Sequence, residues 1–442
     1  MGIDRWLTRQ LAPSTIPDAE GNAAWNTYPL AGASPSTILS SVEDFGWDAM
    51  LDTCYAALAR QIFSERQLYE IVVDIFANHL HVSVPGEQWA TSPGYIVNVI
   101  RANAFGKYST MLLAAMKHPA MLNFLNNDES RKAHVNENLG RELLELHTVG
   151  IAGGYSENDV KASARILSGR TWQDDLWDQR STYGTYRYVP AYHWVGPVTV
   201  LGFSHANATG AGGEAVGDSY LQYLAHHPAT AKKIARKIAV RFVSDNPSDD
   251  LVNRLAEVYL ANDTSILAVV TAVFLSSDFW SSIGTRMRRP LEDAVGAARV
   301  LDVKRGPSMR DGVNWLFWTL DESGHTPFGW VPPNGYPDVA AAWLGAGAMI
   351  QRWNCHRAFV WSGFAFSFTE ARYLVRPKKN MKSQKWVELL AVKLLGVPMR
   401  PEHLAAVLAG AGLGATQSIE SNWWKCGRAA SLILDSPYFQ LR

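Results

Sequence analysis

Apolar residues recur three and four positions apart along most of this chain, with polar residues between them, and that period predicts a mainly helical protein. A short amphipathic helix over 3–11, closed by Pro13, is followed by a Pro-, Ser-, Ala- and Gly-rich stretch (12–45) expected to wrap the surface. Helical spacing then runs from Asp44 to Ala59 and from Glu65 to His81, ended by Pro85-Gly86, and over 92–105 and 107–126, broken near His118-Pro119. The run HVNENLGRELLELHTVGIAGGYSENDVKASARILSGRTW (134–172) reads as helix, glycine turn, helix, with Ser156 and Asp159 placed to cap the second helix reciprocally. The same period returns at 218–243, 249–262, 264–278, 287–303, 339–352, 355–370, 384–396, 402–409 and 418–435.

Two stretches break the pattern. Residues 170–218 carry Trp172, Trp177, Tyr183, Tyr186, Tyr188, Tyr192, His193 and Trp194, and the alternation in TYGTYRYV and PVTVLGF predicts short strands. Residues 305–340 end in PFGWVPPNGYPD, whose prolines and glycines predict a rigid, turn-rich lobe. No fixed-period repeat or low-complexity linker interrupts the chain. The expectation is a single large multi-helix domain over 1–442, with two irregular aromatic, Gly- and Pro-rich lobes and a few short strands.

The helix around 136–147 carries more charge than packing alone wants: Asn136, Glu137, Asn138, Arg141, Glu142 and Glu145 alternate with Leu139, Leu143, Leu144 and Leu146. At 3.6 residues per turn, Glu137, Arg141 and Glu145 stack on one face, with Asn138 and Glu142 in a second column. His147 falls at the helix end, where the dipole favours its imidazolium. Carboxylates one turn apart, with Cβ atoms about 5–6 Å from each other, suit acid–base work or metal ligation. The same residues read equally as a structural ion-pair ladder. On 65–81, Glu70, Asp74, Asn78 and His81 share a stripe, while His79 lies on the apolar side. A divalent metal is left open, with Asp74, His79 and the 137–147 segment as ligand pool. Spacing does not indicate one, since neither HExxH nor a pair of ExxH motifs occurs. A serine or cysteine nucleophile lacks its motif, and GAGG (210–213) lacks the strand and GK[ST] of a phosphate loop.

Composition narrows the partners. The chain has 442 residues, 47% hydrophobic and 19% charged, with 41 basic and 41 acidic residues. No basic surplus exists to drive phosphate-backbone binding, which argues against nucleic acid. The three cysteines are far apart and show no CxxC spacing. No run is long and apolar enough for a transmembrane helix, and the start lacks a signal-peptide pattern. Seventeen tryptophans are a heavy load. Trp172, Trp177, Trp194 and Trp330, with His193 and Asn138, could form platforms and polar contacts for a glycan or small polar ligand. They would equally serve as satellite cores under the lobes.

The run NENLGRELLELHTVGIAGGYSENDV resembles the central signature of the bacterial domain-of-unknown-function family 1800 (DUF1800). The similarity continues in DIFANHLHV (74–82), LLAAMKHPAMLNFLNN (112–127), HHPATAKKIARKIAVRFVSDNP (226–247), PFGWVPPNGYPD (327–338) and LILDSPYFQLR (432–442). The resemblance implies a mostly helical, often exported bacterial protein, and it brings no assigned reaction. It puts weight on Asp74, Asn78 and His79, whereas His81 and His325 depart from the family pattern. Relatives carry an earlier helix, so the chain is expected either to be trimmed or to lack that first element.

Together these features favour an enzyme with a carboxylate acid–base site in an aromatic-walled cleft, acting on a glycan in the manner of a glycoside hydrolase or another carboxylate-dependent hydrolase. Glu142 is the expected acid or base, tuned by Arg141, with Glu137, Glu145, Asp74, His79 and His147 around it. The alternatives are a non-catalytic cell-envelope binding or scaffold protein and a helical metal-dependent oxidoreductase. Oligomeric state is not legible.

Overall fold

The structure, a computed structural model, describes residues 2–306, 309–361 and 370–442. Among them are 23 α-helices and four strands. The strands form two antiparallel pairs, Arg170–Trp172 with Tyr186–Tyr188 and Val198–Val200 with Phe203–His205, all inside the 170–218 excursion. Buried hydrophobic residues from Ala24 to Phe439 form one contiguous cluster. The mainly helical expectation therefore holds; strands 186–188 and 198–200 fall in the two alternating runs, whereas their partners 170–172 and 203–205 lie outside or at the edge of them. No helix of the described residues is long and apolar enough to cross a membrane.

Several local expectations change. Residues 12–45 do more than wrap the surface: helices Ala19–Trp25 and Pro35–Ser41 send Ala24 and Ile38 into the core, joined by Tyr28. Residues 305–340 are not irregular throughout, because Met309–Glu322 is a helix with Val313, Leu316, Phe317 and Leu320 buried at helical spacing. The 218–243 stretch is two helices, Gly213–Ala225 and Pro228–Phe242. Proline at the first helical position and the His227 imidazole accepting from the Ala229 amide (3.1 Å) start the second. Of the helix expected over 355–370, the described part belongs to Ala346–Trp361, and 362–369 lie outside the described residues.

The signature hairpin forms, with Ser156 and Asp159 making the capping box. Its first helix, however, is α-helical only over Asn138–Glu142 and passes into a π-turn over Leu143–His147. Gly140 permits the close approach of the Glu157–Leu167 helix. A Cβ there would lie 2.6 Å from the Ala164 backbone nitrogen, so no other residue fits without displacing a helix.

At the C-terminal end, His356 is clamped between two carboxylates, with Nδ1 2.8 Å from Asp435 and Nε2 2.9 Å from Asp293. Burial lowers the imidazole pKa, but the two carboxylates raise it further, to about 9. A raised folded-state pKa means that this stabilisation is complete below the unfolded value of about 6.5 and is lost as pH rises through about 9. The expected loss is on the order of 3 kcal/mol at about 1.4 kcal/mol per unit. Urea unfolding of wild type and His356→Gln at pH 6 to 10 would isolate it from the opposing titration of Lys233 and Lys237. A difference between the two proteins that stays constant with pH would refute the assignment.

Candidate functional site

The Pro228–Phe242 helix buries Ala231, Ile234, Ala235, Ile238 and Ala239 in the core. One step round its surface, Lys233, Lys237 and Arg241 follow at four-residue intervals and therefore share a face. Arg241 ends that stripe in a cluster of buried charge. Its guanidinium contacts Asp74 (2.8 Å) of the Gln67–Ala77 helix, Glu292 (2.9 Å) of Pro290–Val300 and Asp338 (2.8 Å) of the proline-rich loop. Arg289 adds contacts to Asp74 (2.6 Å) and Glu292 (3.2 Å), and Arg286 to Asp338 (2.5 Å). Burial pushes the Asp74 carboxyl up, but Arg289 and Arg241 more than offset it, and its pKa lies below the ordinary carboxylate range. The same balance between burial and surrounding arginines holds Glu292 low and Asp338 well below the usual value.

Beside this cluster opens a cleft of about 290 Å³, lined by His79, Lys233, Lys237, Asn334, Tyr336 and Asp338 among others. The loop wall is docked by Asn78, whose side chain accepts from the Tyr336 amide (2.6 Å) and donates to the Tyr336 carbonyl (2.8 Å). Burial depresses the Lys237 ammonium to about 8 against the pull of Asp338. Lys233 is likewise pushed down to about 8, by burial first and then by Lys237. The Lys233 ammonium donates to the Glu145 carbonyl. Burial and the two lysines hold His79 well below its ordinary value, so it is neutral. His79 Nε2 lies 3.1 Å from the His147 carbonyl oxygen, which only accepts; the hydrogen therefore sits on Nε2 and the lone pair on Nδ1.

A family model for a protein of unknown function, DUF1800, matches residues 1–441. The chain belongs to the DUF1800 family. No curated protein and no solved structure matches it.

Within this DUF1800 chain the residues singled out from sequence fall into separate places. Glu137, Arg141 and Glu145 do not form one column. The π-turn rotates Glu145 away, so Arg141 pairs with Glu157 (2.7 Å) of the next helix and only distantly with Glu137 (3.5 Å), while Glu145 accepts from the Tyr155 hydroxyl (3.0 Å). Glu142 is half-buried; burial and then Glu145 raise its carboxyl pKa against Arg141 and Lys233. His147 is not an imidazolium. Burial takes it down to about 3, its Nδ1 donates to the His79 carbonyl (3.0 Å), and its Nε2 is buried without a partner. Asp74 belongs to the arginine cluster, whereas His79 faces the lysine cleft.

The aromatic residues also separate, and none of Trp172, Trp177 or Trp194 lines the cleft. Trp172 donates to Asp128 (2.9 Å), Trp194 lies under Arg165 (4.7 Å), and Trp177 is 79% exposed. His193 is buried between the Ser168 carbonyl and the Asn207 side chain (both 2.8 Å), a structural post. Asn138 ties its amide to Asn136 and its side chain to Asn126. Trp330 does approach the site: it packs on Tyr336 (5.1 Å) and donates to Asn334 (2.9 Å). Among the described residues no group of three or more His, Cys, Asp or Glu side chains is placed to hold a metal ion.

Sequence reading missed Lys233, Lys237, Arg241, Arg289, Glu292 and Asp338. The one available signal was cationic side chains at four-residue spacing in KKIARKIAVRF, a pattern that ordinarily marks a solvated face.

Proposed function

We propose that the protein is an enzyme, built on a single helical domain, that performs acid–base chemistry on an anionic glycan or related polar substrate in the lysine cleft. The carrying observation is the pair Lys233 and Lys237, both depressed to about 8, lining a cleft with an imidazole held neutral. At neutral pH such lysines remain largely cationic and attract a negative group, yet either releases its proton at small free-energy cost, the condition for an efficient general base. Trp330, tilted against Tyr336, supplies an apolar flank suited to a sugar ring. Lys233 couples electrostatically to Glu145 and Glu142, and burial and Glu145 raise the Glu142 carboxyl.

The first test needs no substrate. Competitive acetylation across pH 6 to 10, read by peptide mass spectrometry, should give Lys233 and Lys237 apparent pKa values near 8, against about 10.4 for ordinary lysines. Ordinary values at both positions would remove the basis for the site. The second is depolymerisation of a panel of acidic and neutral polysaccharides, with loss of turnover in folded Lys237→Met and Glu142→Gln. Wild type leaving every acidic polymer intact would count against catalysis.

A binding protein is the second reading. It is favoured by the bidentate Arg141–Glu157 pair and the Tyr155–Glu145 bond, which make the signature hairpin a mechanical fastening. Glu142→Gln would then lower the melting temperature and leave glycan binding intact.

A further inference from the structure

A second cavity, of about 250 Å³, reaches the same charged cluster through Asp74, Arg241, Arg289 and Glu292, and shares no lining residue with the lysine cleft. Arg288, Arg299 and Arg442 complete its basic wall, and Glu70 lies on its rim. Glu70 is taken up elsewhere, by Arg60 (3.1 Å) and Arg101 (2.8 Å). Arg288 gives its N–H groups to the Phe439 and Leu441 carbonyls, and Arg299 gives its own to those of Ile62 and Ser64. Among the described residues neither has a carboxylate within ion-pair distance. Asp338 and Asp245 face the cluster from outside the cavity, through Arg241 and Arg286. Without touching them, Asp293 and Glu292 act on Arg288, and Glu65 and Asp18 on Arg299, through space. Arg289 is 2% exposed, and its Nη1 and Nε are buried with no hydrogen-bond partner. Burial lowers Arg288 and Arg299 and takes Arg442 down to about 10, whereas the carboxylates that touch Arg241 and Arg289 raise those two.

Arg288 and Arg299 are half-buried guanidiniums with no carboxylate in contact, so they are open to an anion, and their planar forks match oxyanions in two-point geometry. Ile71, Leu291 and Val295 supply an apolar side and Gln61 and Gln67 neutral polar groups, so the space accepts more than a bare ion. We propose that this cavity binds a small organic dianion, of the phosphate-monoester or dicarboxylate class, between Arg288, Arg289, Arg299 and Arg442. The site is separate from the lysine cleft and stands independently of the reaction proposed there.

The test is arginine footprinting of the wild-type protein. Phenylglyoxal modification is followed by peptide mass mapping in the presence of inorganic phosphate, succinate, or chloride at matched ionic strength. At about ten times the dissociation constant, phosphate or succinate should slow modification of Arg288 and Arg299 about tenfold, because only the free protein reacts. Arg180, an exposed residue paired with Asp44, should react at an unchanged rate. Protection by phosphate alone assigns a tetrahedral head, and protection by succinate alone a dicarboxylate. Equal protection at Arg180, or no protection over chloride with either probe, overturns the site. In Arg299→Gln the phosphate- or succinate-dependent rise in melting temperature should disappear. A rise equal to that of wild type in this variant also overturns it.

Discussion

Arg241→Met is expected to destabilise the protein by about 3 kcal/mol, the lower end of the range for breaking a buried ion cluster from one side. Removing one guanidinium leaves Asp74, Asp245, Glu292 and Asp338 facing Arg286, Arg289 and Arg442, and geometry adds to that loss. Three carboxylate oxygens at 2.8–2.9 Å lose their shared donor at once, and the methionine that replaces it can donate nothing. The three carboxylates come from two helices and the proline-rich loop, so the loss falls on the joint between them. Urea unfolding reads the effect directly. A change below about 1 kcal/mol would mean that water or the remaining arginines take over the contacts, and the cluster would then be an unimportant fastening. Asp74→Asn should cost less, because Arg241 keeps two of its partners.

Gly335→Ala is expected to cost about 3 kcal/mol by a different route. Gly335 has φ of +68°, and a Cβ there would lie 2.2 Å from the Asn78 carbonyl oxygen and 2.6 Å from its side-chain oxygen. The left-handed backbone alone costs an alanine about 1–2 kcal/mol. The clash also pushes the loop off Asn78, which breaks the two hydrogen bonds to Tyr336, each worth about 1 kcal/mol. Because that loop walls the lysine cleft and carries Asp338, the variant should also return Lys237 towards an ordinary lysine pKa as water enters. Thermal unfolding and lysine acetylation therefore report on one event. A destabilised variant with an unchanged Lys237 profile would separate the loop from the site.

How much of this was legible beforehand depended on range. Residues 134–172 could be read as helix, turn and capped helix because those features depend on neighbours a few positions apart, as the Ser156–Asp159 capping box illustrates. The strands at 186–188 and 198–200 follow from local alternation, whereas their partners at 170–172 and 203–205 emerged only in the structure. The π-turn at Leu143–His147 was not legible, since one extra residue in a turn leaves no mark on composition, yet it removes Glu145 from the Arg141 face. The reading of His147 as a cation failed for a related reason: burial against His79 outweighs a helix-end dipole.

The sequence by itself determined the helical class, the family, the hairpin with its caps and the absence of a basic surplus for nucleic acid, because period, motif and composition are local or additive. Only the tertiary structure decided which charges meet. Asp74, Arg241, Arg289 and Asp338 lie far apart along the chain and touch in space. Lys233 and Lys237 look like an ordinary solvated pair until packing desolvates them. Electrostatic environment falls off with distance through space and with access to water, and neither quantity is written in the order of residues.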